Sequence, residues 1–325
     1  MDKQRKKILD LWLSKIYSSK YDIEVASSDA SFRKYYRIQS TKKSKILMDA
    51  PPENEPIDSF LDIHSRLEKT GVNVPDIYEI NKKHGLILME DFGDNQYLHQ
   101  LSDETVYCLY TDALDALNQI QTKTDTSNLK LFDENELIDE MYLFKDWFLF
   151  KNLNLSFKQA GSEFIDNCFK SIVKLILEIP TTFVHRDYHS RNLMVTDKNN
   201  PGILDFQDAL LGPITYDLAS LLRDCYIKWD KGLIDRMIDS YYRRVRAQYS
   251  QISLEEFNFW FDITAVQRHI KAIGIFSRLK FRDGKKQFMN DIPRTYSYIN
   301  ETINKYSELD DFKSLMTDLD IINKL

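Results

Sequence analysis

The first apolar positions, Ile8, Leu11, Trp12 and Ile16, fall at helical spacing and predict an amphipathic helix packed on the body of the protein. Three short runs with strand character follow, 23–26, 34–39 and 46–48, separated by the turn-rich segments 27–30 and 40–44. Pro51-Pro52 ends the third strand, because proline has no amide proton to give a ladder. A helix is predicted next, with Ile57, Phe60, Leu61, Ile63, His64 and Leu67 on its buried side and Gly71 closing it. Two further strands, 76–80 and 86–90, flank the turn Asn81-Lys82-Lys83-His84-Gly85. These elements make a small antiparallel sheet with one helix over about residues 20–92.

From about Leu98 the pattern is helical, apart from the stretch 182–206. The polar crossing Asp91-Phe92-Gly93-Asp94 is therefore the expected boundary, with a β-rich lobe over 1–93 and a mostly helical lobe over 94–325. The fold class expected is α+β, and a cleft between two such lobes is a favoured place for a ligand.

Composition narrows the function. With 43% hydrophobic and 29% charged residues, the chain has the balance of a globular enzyme. A formal charge of −6 argues against a nucleic-acid binder. The basic start, Lys3 to Lys7, runs into a helix interrupted by Asp10 and Lys15, so no signal peptide is expected, and no apolar run is long enough for a membrane span. Cys108, Cys168 and Cys225 are scattered, form no CxxC pair, and read as buried thiols of a cytoplasmic protein.

The chemistry concentrates in Phe183-Val184-His185-Arg186-Asp187-Tyr188-His189-Ser190-Arg191-Asn192-Leu193-Met194-Val195. The turn 196–202 follows, then Ile203-Leu204-Asp205-Phe206-Gln207-Asp208, which makes 193–195 and 203–206 antiparallel partners. Such a hairpin brings Asn192 beside Asp205, thirteen positions apart in sequence. An amide oxygen beside a carboxylate suits Mg2+, which takes oxygen ligands and completes its shell with phosphates. Asp187, on the loop entering the hairpin, then stands where an acceptor hydroxyl meets a terminal phosphate.

His185-Arg186-Asp187 with Asn192, then Asp205-Phe206-Gln207, resembles the catalytic loop and metal motif of the protein-kinase-like fold, in the form of its aminoglycoside phosphotransferase branch. Further segments, in chain order, are Asp29-Ala30-Ser31-Phe32-Arg33, Met48-Asp49-Ala50-Pro51-Pro52-Glu53, Gly212-Pro213-Ile214-Thr215-Tyr216-Asp217-Leu218, Leu222-Arg223-Asp224-Cys225-Tyr226 and Gln267-Arg268-His269. That series is similar to the bacterial anomeric kinases of N-acetylmuramate and N-acetylglucosamine, over about residues 24–298.

The resemblance implies a bilobal protein-kinase-like fold and ATP-dependent transfer to the C1 hydroxyl of an amino sugar. Asp187 would take the hydroxyl proton, and Asn192 and Asp205 would hold Mg2+ against ATP. The sugar 1-phosphate formed would serve peptidoglycan recycling through a nucleotidyltransferase. His185 is expected to prop the loop, Asp217 to steady it from behind, and His189 either to meet substrate or to lie on the loop surface. Gln207, Arg223, Asp224 and Arg268 are candidates for the sugar, although Arg223 and Asp224 equally suit a solvated helix pair. A helix over 260–278 is predicted with Phe261, Val266, Ile270, Ile273 and Phe276 in the core. An arginine such as Arg268 suits the lactyl carboxylate of N-acetylmuramate. Trp147 and its aromatic neighbours read as core.

On the nucleotide side, Ser31, Phe32 and Arg33 are the expected phosphate contacts, and Glu90 to Phe92 the adenine contacts. No G-x-G-x-x-G joins the first two strands, and Met48-Asp49-Ala50 stands where the fold usually carries a strand lysine. Arg33, Lys34, Arg37 and Lys45 are the candidates to replace it, with Arg33 preferred. Two other readings remain: a kinase of another small hydroxylated compound, such as an aminoglycoside or amino alcohol, and a catalytically silent nucleotide-binding regulator.

Overall fold

A computed structural model describes residues 3–27, 33–40, 43–156 and 161–325. Its N-terminal part is a five-stranded antiparallel sheet in the order β1-β2-β3-β5-β4: β1 Asp22–Ser27, β2 Lys34–Gln39, β3 Lys45–Asp49, β4 Ile77–Asn81 and β5 Leu86–Glu90. Central β3 is apolar on both sides, which is what a strand covered on two faces requires. Leu47, with Tyr36, Ile38, Leu86 and Leu88, packs against Leu9 and Leu13 of helix α1, Lys3–Ile16. On the opposite face, Met48, Ile87 and Met89 meet Phe60, Ile63 and Leu67 of α2, Asp58–Thr70.

The sequence placed Leu11 on the buried face of α1, but it is exposed. Leu9 and Leu13, four residues apart, define the buried stripe instead, and Leu11 sits about 200° around the helix from Leu9. Asp49 shares the outer face with them. Its Oδ1 accepts from Arg5 Nε at 2.7 Å, fastening α1 across the sheet. Gly71 closes α2 in the left-handed region, as the sequence implied. At Gly85, a Cβ would sit 1.8 Å from the Ala50 carbonyl oxygen, so the β4–β5 turn has no room for a side chain.

Beyond the crossing the structure is mostly helical: α3 Tyr97–Gln100, α4 Val106–Lys123, α5 Glu134–Leu143, α6 Ser162–Leu177, α7 Tyr216–Leu222, α8 Lys231–Val245, α9 Leu254–Asp283, α10 Ile292–Ile303 and α11 Asp310–Asp318. Within this part, β6 Thr181–Val184 pairs with β9 Leu210–Pro213. The strand β9 lies within a segment that the sequence pattern assigned to the helical lobe. The hairpin β7 Leu193–Met194 and β8 Gly202–Ile203 is two residues per strand, shorter than expected. It is pinned to the preceding chain, with Ile203 N donating to Asn73 O at 2.8 Å and Val195 N to Asn95 O at 2.7 Å.

The long helix α9 runs through the middle of the helical part. Phe261, Val266, Ile270, Ile273 and Phe276 are all buried, matching the predicted stripe. At Gly274 a Cβ would come within 2.3 Å of Phe144 N, so glycine allows α9 to touch the backbone at the end of α5. Phe144 and Phe148 are buried in this region. Cys168 and Cys225 are buried, but Cys108 is exposed on α4, correcting the expectation of three buried thiols. Among the described residues, no helix is long and apolar enough to cross a membrane.

Candidate active site

Strand β6 ends at Val184 and delivers His185, Arg186 and Asp187 into the cleft. Arg186 has a φ of 77°, a left-handed conformation rarely held without support. The support comes from Asp217 at the start of α7. Its Oδ2 accepts from His185 N at 2.6 Å and its Oδ1 from Arg186 N at 3.0 Å. Asp217 is fully buried, and burial pushes its carboxyl up to about 7 against the pull of those two amides. The carboxylate expected behind the loop is where the sequence put it.

The hairpin brings the three oxygen-bearing side chains together. Asn192 Nδ2 donates to the Asp187 carbonyl at 3.0 Å and lies 3.4 Å from Asp205 Oδ2. Leu204 N donates to Asn192 O at 2.9 Å, which closes the base of the hairpin. Asp205 itself has a φ of 64°. Gln207 Nε2 donates to Asp205 Oδ1 at 2.8 Å and to Asp208 Oδ2 at 3.3 Å, so its amide orients the carboxylate.

Two cavities are lined by residues of this loop and hairpin. The larger, about 350 Å³, lies between the sheet and the helical part and is lined by Ile46, Met89, Phe92, Asn192, Leu204 and Asp205, among others. Glu90 lines it as well. The smaller, about 100 Å³, is lined by Asp187, His189, Tyr226, Arg268, Lys271 and Phe276, with Cys225 behind. Asp187 thus faces the smaller cavity, while Asn192 and Asp205 face the larger.

The smaller cavity is cationic. Burial alone would raise the Asp187 carboxyl, but Lys271, His189, Arg268 and Arg186 together bring it down to about 2. Lys271 is buried, yet stays charged because Glu140 of α5 accepts from its ammonium at 2.9 Å. The same carboxylate binds the Arg186 guanidinium, and its Oε2 accepts from Gln267 Nε2 at 3.1 Å. Burial raises the Glu140 carboxyl, and Lys271 and Arg186 outweigh that to hold it ionised. His185 is driven down to about 4 by burial and is neutral; its Nδ1 accepts from Asp187 N at 3.3 Å.

Of the other sequence candidates, Arg268 lines the smaller cavity, but Arg223 and Asp224 do not. Arg223 pairs with Asp262 at 2.5 Å and donates to Thr302 Oγ1 at 2.9 Å. Asp224 is spent on the chain itself: its Oδ2 accepts from Ser190 N at 2.9 Å and Ser190 Oγ at 2.5 Å, and its Oδ1 from Tyr226 N at 2.9 Å. It is neither a solvated helix residue nor a wall of the cavity. Arg33 is buried and its Nε lies 2.7 Å from Glu55 Oε2. Arg37, one of the alternatives, reaches the larger cavity and pairs with Asp91 at 2.6 Å and Asp94 at 2.8 Å. Ser31 and Phe32 lie outside the described residues.

Sequence reasoning did not assign Glu140 to the site, whereas Lys271 stood with Gln267, Arg268, His269 and Arg278 among the polar residues of the 260–278 helix from which a sugar contact was expected. For Lys271 a signal existed, since it stands three residues after Arg268 on one helical face. For Glu140 there was none.

Asn192 and Asp205 supply two hard oxygen donors, the chemistry Mg2+ takes when phosphates and water complete its shell. Among the described residues no group of three or more His, Cys, Asp or Glu side chains gathers to hold a metal without such help.

Comparison with known proteins agrees with this geometry. A model described as the phosphotransferase enzyme family matches residues 22–252. The chain is 36% identical to an N-acetylmuramate/N-acetylglucosamine kinase of Pseudomonas putida, covering 91% of this chain and 88% of that protein. The protein of the same name from Neisseria meningitidis serogroup B is 35% identical, over 97% and 96%. Among solved structures, an ADP-bound aminoglycoside phosphotransferase superposes with a TM-score of 0.62 at 14% identity, covering 93% and 99%. A choline kinase from Streptococcus pneumoniae gives 0.65 at 12%, covering 92% and 99%. The fold is the α+β, protein-kinase-like one, and the chain belongs to the phosphotransferase enzyme family, in the branch that holds the N-acetylmuramate/N-acetylglucosamine kinases.

Proposed function

We propose that this chain transfers the γ-phosphoryl group of ATP to the anomeric C1 hydroxyl of an amino sugar, N-acetylmuramate or N-acetylglucosamine. The observation that carries the reading is the position of Asp187. It faces a small cationic cavity, while Asn192 and Asp205, on the same hairpin, face the larger cleft. Residues 1–93 serve as the nucleotide lobe and 94–325 as the catalytic lobe in this reading.

ATP occupies the larger cavity, with adenine against the backbone of Met89 to Phe92 and the phosphates toward Asn192 and Asp205. Asn192 and Asp205 would hold Mg2+, which would supply positive charge against the nucleotide phosphates. Asp187 orients the acceptor hydroxyl and receives its proton. A carboxylate held at about 2 is a weak base, which favours a hemiacetal hydroxyl over a less acidic alcohol. Arg268 and Lys271 supply the cations that suit a sugar carboxylate, such as the lactyl group of N-acetylmuramate. Gln207 acts by orienting Asp205. The sugar 1-phosphate then passes, in the cytoplasm, to a sugar-1-phosphate nucleotidyltransferase for peptidoglycan recycling.

A cationic cavity disfavours aminoglycosides and amino alcohols, whose ammonium groups it would repel. The intact set of Asp187, Asn192 and Asp205 argues against a silent regulator. A panel of amino sugars, neutral hexoses, choline and aminoglycosides, scored for ATP consumption, tests the assignment. Turnover confined to the amino sugars supports it, and turnover confined to cationic acceptors overturns it.

A further inference from the structure

We propose that Arg191 is a catalytic residue, the guanidinium that contacts the phosphoryl group as it passes from nucleotide to acceptor. The proposal rests on the kinase reading above and adds a role to the same site.

Arg191 stands between Asp187 and Asn192 in the catalytic loop. It lines the larger cavity together with Asn192 and Asp205. Its guanidinium also lies 3.9 Å over the ring of Tyr226, which walls the smaller cavity beside Asp187. The side chain therefore lines the larger cavity while touching a ring that walls the smaller one. A second ring, Phe288, lies 5.3 Å away.

Its pairing sets it apart from most arginines near the cleft; Arg268, which donates only to Cys225 Sγ at 3.6 Å, lines the smaller cavity but not the larger. Arg33, Arg37, Arg186 and Arg223 are each engaged by a carboxylate. Among the described residues, Arg191 makes no ion pair or hydrogen bond; its contacts are the faces of the two rings. Stacking occupies the face of a guanidinium and leaves its in-plane N–H donors for a planar fork onto phosphate oxygens. The strand position that usually brings a lysine to the phosphates holds Met48 instead, fully buried in the core with Phe60. The fold thus has a cation to replace, and Arg191 is half-buried and held in place to replace it.

In the step, a bond forms between the acceptor oxygen and the γ-phosphorus as the bond to the β,γ-bridging oxygen breaks. The electron pair of that bond leaves with ADP, and the hydroxyl proton goes to Asp187. Negative charge shifts among the γ-oxygens and the bridging oxygen, and a donor fork aimed there binds more tightly in the transition state than in the ground state.

The test uses the full chain with N-acetylglucosamine, ATP and Mg2+, comparing wild type, Arg191→Lys, Arg191→Ala and Tyr226→Leu. We expect kcat to fall about 100-fold or more in Arg191→Ala and at least about tenfold in Arg191→Lys, which keeps charge but lacks the fork. The sugar KM and the affinity for ADP stay within about threefold, and added guanidinium chloride restores part of the Arg191→Ala rate. Tyr226→Leu loosens the stack and lowers kcat less than Arg191→Ala does. An Arg191→Ala kcat within threefold of an active wild type overturns the proposal, as does a loss confined to the sugar KM. A lowered thermal midpoint in Arg191→Lys together with a lost rate also counts against it, since that points to a structural role. If the wild type itself turns over no amino sugar, the kinase reading fails first.

Discussion

The Glu140 carboxylate accepts from the Lys271 ammonium at 2.9 Å and also holds the Arg186 guanidinium, so one buried anion ties the wall of the smaller cavity to the loop that carries Asp187. Removing its charge leaves two buried cations without their counter-ion. Glu140→Gln should destabilise the protein by about 3 kcal/mol, in the range for breaking a buried pair from one side. It should also lower kcat/KM at least about tenfold through displacement of the loop. Thermal unfolding and steady-state kinetics check both.

Asp187→Asn keeps the shape of the loop but cannot take a proton. Its kcat should fall by about 10²–10⁴ while nucleotide affinity stays close to wild type. Asp205→Asn should instead weaken binding of the Mg2+–nucleotide complex. Titration with a non-hydrolysable ATP analogue separates the two.

The pH dependence follows from four buried groups. Burial lowers His185 to about 4 and His269 to about 3, from an ordinary 6.5, and lowers His189 in the same direction. The unfolded chain therefore takes up protons below about pH 6.5 that the folded chain refuses, and stability is lost as pH falls from there toward the folded values. Asp217 acts in the opposite sense: raised to about 7, it favours the folded state at low pH and loses that contribution as pH rises through about 7. Replacing His269 by Gln removes one of the three histidine terms, so the variant's thermal midpoint should drop less than wild type's between pH 7.5 and 5. Activity should show no acid limb from Asp187 in this range, because its carboxyl titrates near 2.

Gly85→Ala should destabilise the β-rich part, since the Cβ meets Ala50 O and the φ of 61° disfavours an L side chain. A loss of about 1–3 kcal/mol, with reduced nucleotide affinity, is expected from calorimetry and titration.

How far the site could be read from sequence depended on the distance over which information had to travel. The meeting of Asn192 and Asp205 was legible because one short turn dictates it. The backing of the loop by Asp217 was legible only through the family pattern. Glu140 reaches the site because α5 and α9 touch at Gly274, a packing relation that no local periodicity encodes. Asp224 and Arg223 suited either sugar contacts or a solvated helix pair, yet each is taken up by an internal partner. In β9, the Gly212-Pro213 pair concealed a strand that pairs with β6 at the edge of the site.

The most direct test of the central claim is to locate the ester by phosphorus NMR after incubating the protein with ATP, Mg2+ and N-acetylmuramate. A phosphorus signal coupled to the anomeric proton, absent with Asp187→Asn, is the predicted result. Phosphorylation at any other hydroxyl, or an unchanged signal from Asp187→Asn, would contradict the account.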